Sequence, residues 1–286
     1  MIDKITALLR MIKFSHTIFA FPFALMGVVL ASLVNGAAPG IGQVFWVCMA
    51  MVGARSAAMG LNRLIDAGID AENPRTAERE IPAGKISRRD AKLFVFASLA
   101  LLLLSAWMLN PLCFYLSPVA LFFLVLYSYC KRFTAMAHVV LGICLAAAPI
   151  GAWIALRGSI GWPPVVLGFA VLLWVAGFDI FYALQDLEFD QAKGLYSIPS
   201  RYGVDKSIRM VRYFHIGMVA LLLLLLAVDG LGTIYFIGVV VVALLLLYEH
   251  LLVRPDDLSR LDAAFFNMNG YISVTIFLFT LVDAVW

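Results

Sequence analysis

Apolar residues run along this chain in blocks of roughly twenty, and polar residues gather between the blocks in two unequal kinds of connection. A helix needs about 17–25 apolar residues to cross the hydrocarbon core of a bilayer. Stretches of that length lie at 16–34, 40–62, 93–110, 112–130, 136–157, 163–184, 211–229, 232–252 and 264–285. The pattern predicts an all-α, polytopic membrane protein, with nine transmembrane helices in one bundle and residues 1–286 forming a single domain. Odd-numbered spans are followed by short breaks carrying Gly or Pro: NGAAPG, the Asn110-Pro111 step, GSIGWPP and DGLG. Even-numbered spans are followed by longer, charged segments, which predict a cap of helix-loop elements over one end of the bundle.

Composition agrees: 63% of residues are hydrophobic and 14% charged, outside the range of soluble globular domains. The basic residues sort by side. Lys4, Arg10 and Lys13 precede the first span, and the remainder cluster at Arg63–Lys92, Lys131–Arg132, Lys193–Arg212 and Arg254–Arg260. Only Arg157 lies in a connection on the opposite side, and Arg55 lies inside span two. By the positive-inside rule, the N-terminus and charged loops are cytoplasmic and the C-terminus is outside. In a bacterium the site is the inner membrane. The net charge of +3 therefore reports orientation and contact with anionic headgroups rather than nucleic acid. The basic start followed by an apolar run resembles a signal peptide, but the run is long and interrupted by His16 and Pro22, so it reads as span one. Cys48, Cys113, Cys130 and Cys144 have no CxxC spacing and read as packing residues.

Two stretches break the apolar rule. In NRLIDAGID, Asn62, Asp66 and Asp70 are spaced i, i+4, i+8 and share one helical face. In DIFYALQDLEFD, Asp179, Tyr182, Asp186 and Asp190 again fall within one arc. An ionised side chain at the centre of a spanning helix costs about 2.5–3.5 kcal/mol on insertion scales, so lipid packing does not ask for these acids. The plain reading is interfacial acids paired with Arg75, Arg79, Lys193 or Arg201. The sharper reading sets two carboxylate pairs across a cavity to hold Mg²⁺, a hard cation that takes oxygen ligands and bridges to phosphate. Arg75, Arg79, Lys131, Arg132 and Lys193 lie near the same membrane face, where they could neutralise phosphate oxygens. Arg55, two turns deeper than Asn62 on the same face, fits either a cavity partner or a structural pair.

These motifs resemble those of the UbiA superfamily of intramembrane prenyltransferases over nearly the whole chain. The family's N-D-x-x-D-x-x-x-D signature corresponds to NRLIDAGID, which keeps Asn62, Asp66 and Asp70 and carries Arg63 where Asp is common. Arg63 is taken to lie about 100° from the Asp66 face. The second signature, D-x-x-Y-A-x-x-D-x-x-x-D, matches at Asp179, Tyr182, Ala183, Asp186 and Asp190. SHTIFAFPFALMG, NPRTAEREIPAGKIS, YSYCKRFT and AFFNMNG look similar too, and the bacterial 4-hydroxybenzoate polyprenyltransferase-like branch looks closest. The resemblance implies that Asp66, Asp70, Asp186 and Asp190 coordinate Mg²⁺ on an isoprenyl diphosphate, with Arg75 and Lys131 touching the diphosphate. It also implies that Asn62, Tyr182 and Asp179 line the reacting centre.

The expected reaction moves a polyprenyl chain from its diphosphate to the ring of an aromatic acceptor, 4-hydroxybenzoate or a related hydroxy-aromatic acid, in ubiquinone or menaquinone synthesis. Mg²⁺ and the cations would stabilise the leaving group, while Phe178, Tyr182 and Tyr129 are candidates for facing the allylic cation. Asp179 is a candidate for orienting the phenol or assisting proton loss, and Asn62 for bonding the acceptor. Gly142, Gly151 and Gly177 suit close helix approach. His16, His138, His215 and His250 read as boundary or packing residues, with Glu249 and His250 pointing apart. Asn267 and Asn269 need polar partners, in the cavity or on a neighbouring helix. The nearest alternatives are sister prenyltransferases acting on dihydroxynaphthoate, haem or a tetrapyrrole alcohol ester. An ion-coupled transporter is the alternative of another class, but it predicts acids near the midplane and repeat symmetry.

Overall fold

The computed structural model describes residues 2–12, 19–228, 230–253, 258, 261 and 267–286. Their helices are α1 (Ile2–Met11), α2 (Phe21–Asn35), α3 (Ile41–Glu72), α4 (Arg88–Leu109), α5 (Pro111–Cys130), α6 (Ala137–Arg157), α7 (Trp162–Ala183), α8 (Leu187–Lys193), α9 (Ile198–Tyr202), α10 (Val204–Leu224), α11 (Thr233–Leu252) and α12 (Asn269–Val285). Seven are long and apolar enough to cross a membrane: α3 to α6, α7 with its continuation to Lys193, α10 with its continuation to Ala227, and α11. The chain is thus a polytopic, all-α membrane protein. The other two apolar helices, α2 and α12, are shorter, and the expected first and last spans include residues 16–18 and 264–266, which lie outside the described residues.

Local chemistry sets where the helices begin and end. Pro22 does not interrupt a span; it sits in the first turn of α2, where a missing N–H costs nothing. Between α4 and α5 the chain turns at Asn110 alone, whose Oδ1 accepts the Cys113 N–H at 2.9 Å while its Nδ2 donates to Ile154 O at 2.8 Å. Ser87 caps α4 through the Asp90 N–H at 3.1 Å. By contrast, α3 runs on without a break ten residues beyond its expected end, roughly 48 Å in all at 1.5 Å per residue.

The main core lies among α2, α6, α7, α10, α11 and α12, around Trp174, Phe23, Met26, Tyr235 and Ile276. In that core α7 packs most extensively on α6 and α10, while α3 packs on α4. Two of the three expected close-approach glycines act that way. A Cβ on Gly142 would stand 2.6 Å from Leu172 O, and one on Gly177 would stand 2.5 Å from His215 Nε2. Gly151 differs: nothing among the described residues lies within 4 Å of its Cβ position, and it lines a cavity instead.

Candidate active site

Between α3, α5, α6 and α7 the bundle leaves a cavity of about 830 Å³. Its wall includes both Val47 and Asp70 of α3, about 35 Å apart along the helix axis. That length is comparable to a hydrocarbon core of about 30 Å. Aliphatic and aromatic side chains such as Met51, Leu116, Phe123 and Phe169 line the deeper part, and charged groups crowd the other end. Of the eleven expected site residues, ten line this cavity: Asn62, Asp66, Asp70, Arg75, Arg79, Lys131, Asp179, Tyr182, Asp186 and Asp190.

The continuity of α3 delivers the first acidic pair. Asp66 is buried and meets Lys131 Nζ at 2.8 Å through Oδ2, which also accepts from Asn62 Nδ2 at 2.9 Å. Arg132 Nη2 stands 2.9 Å from Asp66 Oδ1. Arg132 Nη2 also donates to Ile65 O at 3.0 Å, and its contact with Asp66 is one of charge, which leaves Asp66 Oδ1 without a bonded donor among the described residues. Asp70 accepts from Arg79 Nη1 at 2.7 Å, and its Oδ2 is buried without a partner among the described residues.

The second pair does not ride on one straight helix. After Ala183 the chain tightens into a 3₁₀ turn, Leu184–Asp186, before α8. Three residues per turn replace 3.6, so Asp186 leaves the ideal α-helical stripe and swings towards the loop after α3. There Arg75 grips it: Nε donates to Oδ1 at 2.9 Å and Nη2 reaches Oδ2, a bidentate fork. Arg75 Nη1 also donates to the Tyr182 hydroxyl at 2.7 Å, and the guanidinium lies 4.9 Å from the Tyr182 ring centroid. Burial works against the charge on Arg75, but the bonds to Asp186 and Tyr182 outweigh it and raise its pKa. Asp190 lines the cavity beside Ser197.

Two neighbours of this site escaped the sequence pattern. Asn73 donates from Nδ2 to Asp186 Oδ1 at 2.8 Å and accepts the Arg75 N–H at 2.9 Å. Its signal was the Asn-Pro step at the end of α3, where the side chain turns back on the loop. His138, expected to be a packing residue, lines the cavity with Nδ1 2.7 Å from Asp179 Oδ2.

Several expectations are corrected. Lys193 does not line the cavity; it closes α8 and pairs with Glu72 at the surface. Tyr129 is exposed on the outer face of α5 beside Arg132, while Phe178 and Tyr127 face the cavity. Arg63 is not turned away. It precedes Asp70 by seven residues, a phase difference of only about 20°, and it is buried in the cavity wall with Nε 3.4 Å from Met11 O. Glu249 and His250 do not diverge fully either: His215 Nδ1 lies 3.1 Å from His250 Nε2 and 3.9 Å from Glu249 Oε2. That group and the buried Asn269 lie away from the cavity.

Among the described residues, no three His, Cys, Asp or Glu side chains converge into a ready-made metal cage. The donor set still suits a hard cation. Four carboxylates border one mouth, and two buried carboxylate oxygens, Asp66 Oδ1 and Asp70 Oδ2, have no hydrogen-bond donor among the described residues. Mg²⁺ characteristically takes one or two carboxylates and completes its shell with water and phosphate oxygens. The arginines and lysine now on these acids are also the groups that would meet a phosphate.

An apolar cavity with an acidic and basic mouth suits a ligand with a charged head and a long apolar tail, and known proteins agree with that reading. Residues 20–271 match the model of the UbiA prenyltransferase family. A 4-hydroxybenzoate octaprenyltransferase of Nitrosospira multiformis is 33% identical over 232 residues, 80% of this chain and 78% of that protein. The one from Citrobacter koseri is 28% identical, over 85% and 84%. Among solved structures, a UbiA homolog from Aeropyrum pernix superposes with a TM-score of 0.85 at 32% identity, covering 94% of this chain and 98% of that one. A homolog from Archaeoglobus fulgidus, solved with DMAPP and Mg²⁺, shares the fold with a TM-score of 0.73 at 18% identity, over 97% and 99%. A transporter is set aside by these matches: the chain belongs to the UbiA prenyltransferase family, and it is an enzyme that transfers prenyl groups from an isoprenyl diphosphate to an acceptor.

Proposed function

We propose that this enzyme transfers a polyprenyl chain to the ring of a hydroxy-aromatic acid, with 4-hydroxybenzoate as acceptor, in quinone biosynthesis. The observation that carries this reading is Arg55. It lines the cavity eleven residues before Asp66, about 16 Å along α3, and its buried Nε has no hydrogen-bond partner among the described residues. A half-buried guanidinium at a cavity wall, with its buried Nε idle, suits an anion. The diphosphate end already has its own cations, so the acceptor's carboxylate is the remaining candidate. Arg55 and Asn62 share a face about 10 Å apart along the axis and bracket room for one aromatic ring. The two relatives described above are 4-hydroxybenzoate octaprenyltransferases.

In this reading Arg75, Arg79 and Lys131 would bind the diphosphate, and Asp66, Asp70, Asp186 and Asp190 would hold Mg²⁺. Bound there, Mg²⁺ would offset the charge that builds on the departing pyrophosphate. Asn62 and Asn73 orient the acids, Tyr182 is held by Arg75 beside the allylic carbon, and the apolar wall excludes water from the carbocation. The acceptor lies between Arg55 and Asp179.

We infer further that α2 and α12 complete nine crossings, with the charged end cytoplasmic in a bacterial inner membrane. A reporter fused to the C-terminus would then be active only outside the cytoplasm; activity inside would reverse the topology. The functional reading is tested by incubating detergent-purified protein with Mg²⁺, labelled polyprenyl diphosphate and a panel of aromatic acids. Ring-prenylated 4-hydroxybenzoate is the expected product. No prenylated acid from any panel member would overturn the assignment.

A further inference from the structure

Three of the acids around the mouth are held by strong cations. Asp66, Asp70 and Asp186 each meet Lys or Arg. Asp179 does not: it meets a histidine, His138, whose Nδ1 stands 2.7 Å from its Oδ2. The pair lies on the cavity wall, with Asp179 seven residues before Asp186, about 10 Å further into the bundle at the α-helical rise.

The geometry fixes the protons. His138 stands in the first turn of α6 and is 3% exposed. Its Nε2 accepts the Ile198 N–H at 3.3 Å. A ring nitrogen that accepts a hydrogen bond carries no proton, so the proton of the neutral imidazole is on Nδ1. Nδ1 therefore donates to Asp179 Oδ2 at 2.7 Å, and the carboxylate is the acceptor of that bond. The Ile198 N–H occupies the Nε2 lone pair, so the imidazole presents its Nδ1–H to Asp179. It is a fixed donor that holds a carboxylate beside the cavity.

The Ile198 N–H belongs to the segment that also serves the diphosphate end. Tyr196 N–H donates to Lys131 O at 2.8 Å. One short stretch thus ties the carboxylate in the cavity to the lysine at the mouth.

We propose that His138 is the positioning residue that orients Asp179 as the base for the ring proton of the acceptor. This rests on the aromatic-acid reading above. In the step, a π pair of the ring forms the new carbon–carbon bond to the allylic carbon, and the carbon–oxygen bond pair leaves with pyrophosphate. The ring C–H pair then restores aromaticity, and its proton passes to the Asp179 carboxylate. The Nδ1–H of His138 keeps that carboxylate aimed at the ring carbon, and the proton later leaves to water through the mouth.

The test uses the full-length purified enzyme with Mg²⁺, polyprenyl diphosphate and 4-hydroxybenzoate, either unlabelled or deuterated at the two ring positions beside the hydroxyl. His138→Leu removes both bonds; His138→Gln can keep them, with its amide N–H on Asp179 and its carbonyl oxygen on Ile198. We expect His138→Leu to lower kcat about 10- to 100-fold, the range for losing an orienting partner, with the donor KM unchanged. We also expect a primary isotope effect on kcat that the wild type lacks, because proton loss becomes limiting. His138→Gln should restore most of kcat and abolish the isotope effect. If the leucine variant does not purify, His138→Asn, whose shorter amide cannot span both partners, takes its place with the same expectation. A removal variant with wild-type kcat, or a loss shared equally by the glutamine variant with no isotope effect, would overturn the proposal. A wild-type enzyme that prenylates no aromatic acid would instead overturn the reading on which it rests.

Discussion

Replacing Arg55 by Met separates two effects that usually travel together. In the wild type the Arg55 Nε is buried beside the cavity without a partner among the described residues, and an unsatisfied buried donor costs about 1–3 kcal/mol. Methionine has a similar apolar length and no such donor, so the variant should melt at the same temperature as the wild type or higher. Function should move the other way. If the guanidinium binds the acceptor's carboxylate, losing a hydrogen bond to a charged group forfeits about 1.5–3 kcal/mol, which is roughly a 10- to 150-fold rise in the acceptor KM at 1.4 kcal/mol per tenfold. The donor KM should stay put, because Arg75, Arg79 and Lys131 sit on the other acids. Initial rates on purified protein, with each substrate varied in turn, and a thermal melt in the same detergent give all three numbers. An unchanged acceptor KM together with a lowered melting temperature would refute the reasoning and make Arg55 a structural residue.

The acid pairs and the excluded lysine give sharper contrasts. Asp66→Asn or Asp186→Asn keeps the volume and removes a charge from the mouth; turnover should fall about 100-fold or more while the protein stays monodisperse, and full activity in either variant would sink its role as a ligand. Lys193→Ala should leave kcat and the donor KM within about twofold, because an exposed pair such as Lys193–Glu72 contributes little; a large rise in donor KM would return Lys193 to the diphosphate site.

Much of the site was legible because α3 is one continuous helix. The i, i+4, i+8 spacing of Asn62, Asp66 and Asp70 translates directly into a stripe on the cavity wall. The second stripe was legible in composition but not in shape: the 3₁₀ turn at Leu184–Asp186 is a local tightening with no strong residue signature. Arg63 illustrates how one reference residue misleads, since it diverges from Asn62 yet stacks nearly over Asp70 two turns on. His138 could not be read at all, because its partners, Asp179 and Ile198, lie 41 and 60 residues away and meet it only through packing. Lys193 failed for the opposite reason. Its charge and its place after the second acidic motif suggested the diphosphate site, but the direction of α8 points it to Glu72.

The measurement that bears most directly on the central claim is a competition in one reaction: purified enzyme, Mg²⁺, a polyprenyl diphosphate, and equal amounts of 4-hydroxybenzoate and phenol, with products separated by mass. Arg55 predicts that the acid is prenylated on its ring at least about tenfold faster, with no product once Mg²⁺ is chelated. Equal prenylation of phenol, or transfer that survives chelation, would contradict the account.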